Sequence, residues 1–262
     1  MNLKRFVAFT FLVLLIYGVQ VGAVAAIPVI WLGMFILLNW LRRKMQHLFL
    51  KNALSFVIFI LGVLFSIHFL GFHNIKLGTV QFSANGVPQT AYFNFDKVLS
   101  GLILLYFYEN KLIFSCSQFR KTFLIALVAI FISMGIALSL HFVAFDFKLH
   151  ETILIWSLRN FFAVALCEEI LFRGFLQESL ITGFLPYLGT RWANVLGLIF
   201  ASVLFGLFHY KSGIAMVFLA SIAGLFYGWV YLKTNHVFYS ALAHFTLNLT
   251  HFVFFTYPCL LQ

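Results

Sequence analysis

Long apolar runs, separated by short polar or basic segments, set the pattern of this chain. From Phe6 to about Trp40 the sequence is almost wholly apolar. That exceeds the roughly 20 residues that cross a hydrocarbon layer, and it suits two helices turning near Gln20 to Gly22. A basic loop with Arg42, Arg43, Lys44 and Lys51 comes next, then a third span over 52–72. Residues 73–97 are the longest polar stretch, and Asn85-Gly86-Val87-Pro88 reads as a turn. The apolar run over 98–108 is short. It crosses only if residues 91–97, with Asp96 and Lys97, lie in the interface. A fifth span is predicted over 122–144 and a sixth over 152–176. Residues 177–191 contain Gly183, Pro186 and Gly189 and read as a loop or an interfacial helix. Spans over 192–209 and 212–232 are joined by a turn at Lys211-Ser212-Gly213, and the last span covers about 237–257. The fold class is all-α, a polytopic transmembrane helix bundle of about 8–9 membrane helices.

Composition strengthens this reading. The chain is 63% hydrophobic and 9% charged, with a mean hydropathy of +1.02. A soluble domain cannot keep that much apolar surface from water. A membrane β-barrel shows alternating strands of about ten residues, and none is evident. Ala23-Val24-Ala25 resembles a signal cleavage site, although apolar sequence continues directly beyond it. The net charge of +10 invites a nucleic-acid reading. The basic residues, however, sit at the ends of apolar runs, where orientation and lipid headgroup contacts account for them. With a cytoplasmic N-terminus, the inner segments hold Lys4, Arg5, Arg42, Arg43, Lys44, Lys51, Lys111, Arg120, Lys121, Arg191 and Lys233. The outer ones hold Lys76, Lys97, Lys148 and Lys211, so the bias favours that orientation. Cys116, Cys167 and Cys259 are far apart, without metal-ligand spacing, and argue against a disulfide framework.

One stretch departs from the apolar background. Cys167-Glu168-Glu169-Ile170-Leu171-Phe172-Arg173-Gly174-Phe175 puts two carboxylates and a guanidinium inside a predicted span. Ionisable groups at bilayer depth are costly unless paired or hydrated, and they mark a candidate functional site. On a helix Glu169 and Arg173 are i,i+4 and can pair, whereas Glu168 is rotated about 100° away. The spacing predicts Glu169 held by Arg173 and Glu168 left to do chemistry. Two further pieces stand on other apolar helices. His209 ends the run Phe205-Gly206-Leu207-Phe208-His209. His244 and Asn248 share a face of the last span, with His251 one turn on. A carboxylate can take a proton from water, a histidine can assist, and an Asn or His donor can hold a tetrahedral oxyanion. His251 reads as helix packing, and Arg159 as a residue that pairs or snorkels.

Taken in order, Glu168-Glu169-x-x-x-Arg173, Phe205-x-x-x-His209 and His244-x-x-x-Asn248 resemble the motif set of the CPBP intramembrane proteases. That family, also called Abi, includes CAAX prenyl endopeptidases and proposed bacteriocin-processing enzymes. The resemblance covers about 120–257, leaving 1–119 as N-terminal transmembrane helices outside the family core. It implies that Glu168 activates water with help from His209, and that His244 and Asn248 form the oxyanion site. Glu169 and Arg173 are then supporting residues. It also leaves zinc open, held by Glu168, His209 and His244. The compact His-Glu-x-x-His motif is absent, which favours a metal-independent reaction. The implied substrate is a membrane peptide or protein, the surroundings a lipid bilayer, and nucleic acid has no part. Small size and the lack of soluble domains suit a bacterial inner membrane. A non-proteolytic scaffold or bacteriocin-immunity factor with the same fold is the alternative, and a proton-relay transporter a more distant one.

Overall fold

The computed structural model describes residues 3–108 and 115–260, so Lys111 lies outside the described residues. In chain order the helices are α1 (Leu3–Gln20), α2 (Ala26–Lys44) and α3 (Leu48–Ser66), then α4 (Phe95–Tyr108) after a hairpin of β1 (Ile75–Val80) and β2 (Gln89–Phe93). Next come α5 (Cys116–Ser139), α6 (Ile153–Arg159), α7 (Leu166–Glu169), α8 (Glu178–Phe208), α9 (Ile214–Thr234) and α10 (Val237–Phe254). Wider π-helical turns, Asn160–Ala165 and Ile170–Gln177, flank α7.

Among the described residues, six helical stretches have the length and apolar composition to cross a membrane. One of them, Ile153–Phe208, runs for 56 residues. At about 1.5 Å per residue that is about 84 Å, far more than one crossing. The backbone resolves the excess at Gly189, whose φ of 67° and ψ of 169° break the helix. A Cβ on Gly197 would lie 2.5 Å from Ile181 Cγ1. In a straight helix those residues would be about 24 Å apart, so the chain doubles back at Gly189. The stretch is therefore two spans. Among the described residues the number of helices roughly fits the 8–9 that the apolar runs predict.

Boundaries differ from the sequence reading in three places. Residues 178–188 are helical rather than a loop, with Pro186 accommodated inside α8. α5 begins at Cys116 and α3 ends at Ser66, about six residues from the apolar limits in each case. Finally, the polar stretch after α3 forms a small hairpin. Its strand Ile75–Val80 carries the β-branched Ile75, Thr79 and Val80, and the turn at Ala84 and Asn85 overlaps the start of the Asn85–Pro88 turn signal.

The chain forms two compact units. The first comprises Met1–Ile75, Phe93–Ile113 and Cys167–Gly197. In it α4 is the hub, packed on α1, α2, α3 and the Ile170–Gln177 turns. Small residues permit the close approaches: a Cβ on Gly62 would meet Leu171 Cδ1 at 2.7 Å, and one on Gly101 would meet Cys167 Sγ at 2.9 Å. Outward faces of α1 and α2 carry Phe9, Ile16, Ile27 and Ile30, which a lipid environment accepts.

The second unit comprises Lys76–Tyr92, Phe114–Leu166 and Leu198–Gln262. Here α5, α9 and α10 pack on one another, and α10 also packs on the Asn160–Ala165 turns. Trp156 stacks on Phe252 with ring centroids 4.2 Å apart. The segment after α10 runs back along the unit: Thr256 N donates to Ala144 O at 2.9 Å, and Val87 N donates to Cys259 O at 3.2 Å.

Candidate active site

Glu168 and Glu169 stand on the short α7, between two π-helical segments. Such wide turns add a residue to the helix circumference and recur at functional sites. Glu169 and Arg173 are both fully buried, and Arg173 Nε lies 3.2 Å from Glu169 Oε2. This is the i,i+4 pair that the spacing predicts. A second contact, Arg173 Nη1 to Glu169 Oε1 at 3.2 Å, makes it a two-point pair.

Glu168 is engaged as well, and here the structure corrects the sequence reading. It is 5% exposed, and its Oε1 accepts from Lys97 Nζ at 2.5 Å. Lys97 and Asp96 were expected in the interface. They are instead 7% and 0% exposed. The physical reason is that a charge removed from water must find a countercharge, and α4 brings one. Gly101 lets α4 lie against Cys167, and Lys97, one turn earlier on the same face, then reaches the neighbouring Glu168. Asp96 secures the start of α4. Its Oδ1 accepts from the Lys97 backbone N–H at 2.8 Å, while Oδ2 accepts from His68 Nδ1 at 2.8 Å and Asn74 Nδ2 at 3.2 Å. Asn74 Oδ1 in turn accepts from the Phe95 N–H, an orphan donor of the helix start.

The histidines and the asparagine belong to the second unit. His209 follows the last residue of α8, and its Nδ1 donates to Phe205 O at 2.9 Å. Because a carbonyl only accepts, that bond places a proton on Nδ1. The turn continues through Tyr210–Ser212 to Gly213, whose φ of 91° favours glycine. Gly206 sets the approach of α8 to α9: a Cβ there would fall 1.9 Å from Ser221 Oγ and 2.5 Å from Val217 O. His244 is 4% exposed. Its ring stacks on Tyr227 with centroids 4.6 Å apart and planes 11° apart. Phe205 touches both histidine rings, His209 at 4.8 Å and His244 edge-on at 5.7 Å. Asn248 Nδ2 donates to Asn160 Oδ1 at 3.2 Å. His251 Nε2 donates to Thr256 O at 3.1 Å, a helix-end contact that fits packing. Arg159 Nε donates to Tyr92 O at 3.0 Å.

The carboxylates thus lie on the first unit and the imidazoles and amide on the second. Sequence reading missed Lys97, Asn160 and Tyr227 as their companions. Asn160 carried a signal, being a polar residue within an apolar run. Lys97 carried a misleading one, because a lysine at the start of a short run looks like a boundary marker. Among the described residues no three His, Cys, Asp or Glu side chains group to hold a metal ion. Moreover, the group on Glu168 is an ammonium, whose charge repels a cation.

These features define a polytopic membrane protein with carboxylate and imidazole groups buried on its helices. Residues 150–250 match the family model of Rce1-like proteins, described as type II CAAX prenyl endopeptidase. That segment, under half of the chain, contains Glu168, Glu169, Arg173, His209, His244 and Asn248. No curated protein and no solved structure gives a match.

Proposed function

We propose that the chain is an intramembrane endopeptidase in which Glu168 is the general base. Water attacks the scissile carbonyl carbon and gives a proton to the Glu168 carboxylate, with His209 assisting. The oxyanion is held by His244 and Asn248. The C–N bond then breaks, and the proton on Glu168 passes to the leaving amine. Glu169 and Arg173 support the helix beside the base. The observation that carries this reading is the full motif set, in order, within the segment that matches a peptidase family.

Local geometry supports the assignments. Tyr227 and Phe205 restrain the His244 ring, Asn160 restrains the Asn248 amide, and the Phe205 carbonyl holds the His209 Nδ1–H. The family description makes a peptide ending in a prenylated cysteine motif one substrate to test. The core acting on it is residues 120–257, with the helices of 1–119 flanking it. The distribution of Lys and Arg supports a cytoplasmic N-terminus.

The test is cleavage of a membrane-tethered peptide library, with and without a prenylated cysteine, by purified protein in detergent. Wild type is expected to cut, with and without a zinc chelator, and His244→Ala to lose at least about a hundredfold in rate. Equal cleavage by wild type and His244→Ala would contradict the proposed oxyanion site.

A further inference from the structure

We infer that Lys97, on a helix outside the family segment, is a positioning residue for the Glu168 carboxylate. The inference rests on the reading of Glu168 as the base. Three observations carry it. Lys97 Nζ lies 2.5 Å from Glu168 Oε1, with both side chains almost fully buried. The lysine is itself held in place: its backbone N–H is bound by Asp96, which His68 and Asn74 fix, and Gly101 seats the next turn of α4 on Cys167. Lastly, Lys97 lies 53 residues before the start of the matched segment 150–250.

The physical role follows from the carboxylate's own freedom. The last torsion of a glutamate is broad, so the carboxylate plane of a lone side chain wanders. An ammonium on one oxygen limits that rotation. It also offsets the charge that Glu168 carries between turnovers at a depth where water is scarce. A base displaced by about 1 Å loses on the order of a hundredfold in rate. Lys97 touches no reacting atom in this scheme. Its contribution belongs in kcat rather than in substrate binding. The first unit therefore supplies part of the catalytic apparatus from residues before the family core.

The experiment compares wild type, Lys97→Met, Lys97→Arg, Glu168→Gln and the Lys97→Met/Glu168→Gln double variant. Peptide cleavage and thermal unfolding in detergent are both followed. Glu168→Gln is expected to be inactive. Lys97→Met should lose about a hundredfold in kcat, with KM within about threefold of wild type, and Lys97→Arg should recover most of the loss. The melting temperature lost in Lys97→Met should be regained in the double variant, because the buried carboxylate is then neutral. Wild-type kcat in Lys97→Met beside an inactive Glu168→Gln would overturn the inference and leave Glu168 as the base. An active Glu168→Gln would remove that base assignment itself. Should Lys97→Met fold poorly, a double variant with no regained stability, together with an inactive Lys97→Arg, would show a packing role and overturn the inference.

Discussion

Replacing Arg173 by Met removes the guanidinium from a pair in which neither side chain is exposed. At 3.2 Å the attraction is about 5 kcal/mol with an effective dielectric constant of about 20. Methionine keeps much of the volume, so the packing loss is small. Glu169 is left in an apolar setting without its ion-pair partner, and breaking a buried pair in this way costs about 3–5 kcal/mol. For a chain of this size each kcal/mol moves the melting temperature by about 2–4 °C, so the loss should be roughly 6–20 °C. Neutralising the second partner should recover part of it, since Arg173→Met/Glu169→Gln buries no lone carboxylate. Lys at position 173 keeps the charge but not the two-point contact, and should fall between. The assay is the fraction of monodisperse protein in detergent after stepped heating. An Arg173→Met protein that melts within about 2 °C of wild type would falsify the supporting role of the pair.

Three further outcomes are expected. Gly206→Ala places a Cβ within 1.9 Å of Ser221 Oγ and 2.5 Å of the Val217 carbonyl; it should cost about 1–3 kcal/mol of stability, and an added Ser221→Gly should return only the part due to the side chain, read from the same heating assay. Asn160→Ala removes the acceptor of the Asn248 amide and should lower kcat about tenfold or more with little change in KM, a split that steady-state kinetics would show. Asp146 is held below the ordinary carboxylate value, first by a hydrogen bond from Ser83 and then by Lys148, against an opposing effect of burial. A depressed folded value means that the stabilisation is present above the unfolded value of about 3.9 and is lost as pH falls through the lower folded one. The Asp146–Lys148 junction with Val253 and Phe254 should therefore loosen in acid in wild type, and Asp146→Asn should show no such acid-dependent change in hydrogen exchange.

Much of the bundle was legible because a bilayer leaves few choices. A helix satisfies its own backbone, so each apolar run of about 20 residues becomes one. Gln20–Gly22 and Lys211–Gly213 broke that pattern with polar and glycine residues, and the chain turns close to both. The Glu169–Arg173 pair was legible because i,i+4 is a local relation. Lys97–Glu168 was not: two residues 71 apart meet only because Gly101 admits Cys167, and nothing near Lys97 announces that partner. The π-helical turns around α7 and the helix over 178–188 were also hidden. Gly183 and Pro186 weaken helix propensity locally, and tertiary packing decides the matter. Gly183 illustrates this, since a Cβ there would lie 3.1 Å from Asn52 Nδ2 of α3.

The central claim is that Glu168 carries out the chemistry, and one comparison tests it most directly. Wild type and Glu168→Gln would be reconstituted in proteoliposomes with a peptide that the library assay finds to be cut. Product would be measured over many turnovers by mass spectrometry, with equal folded protein confirmed by melting temperature. The account predicts cleavage by wild type, and a rate for Glu168→Gln lower by at least about a hundredfold. A folded Glu168→Gln protein that cleaves at the wild-type rate would contradict it.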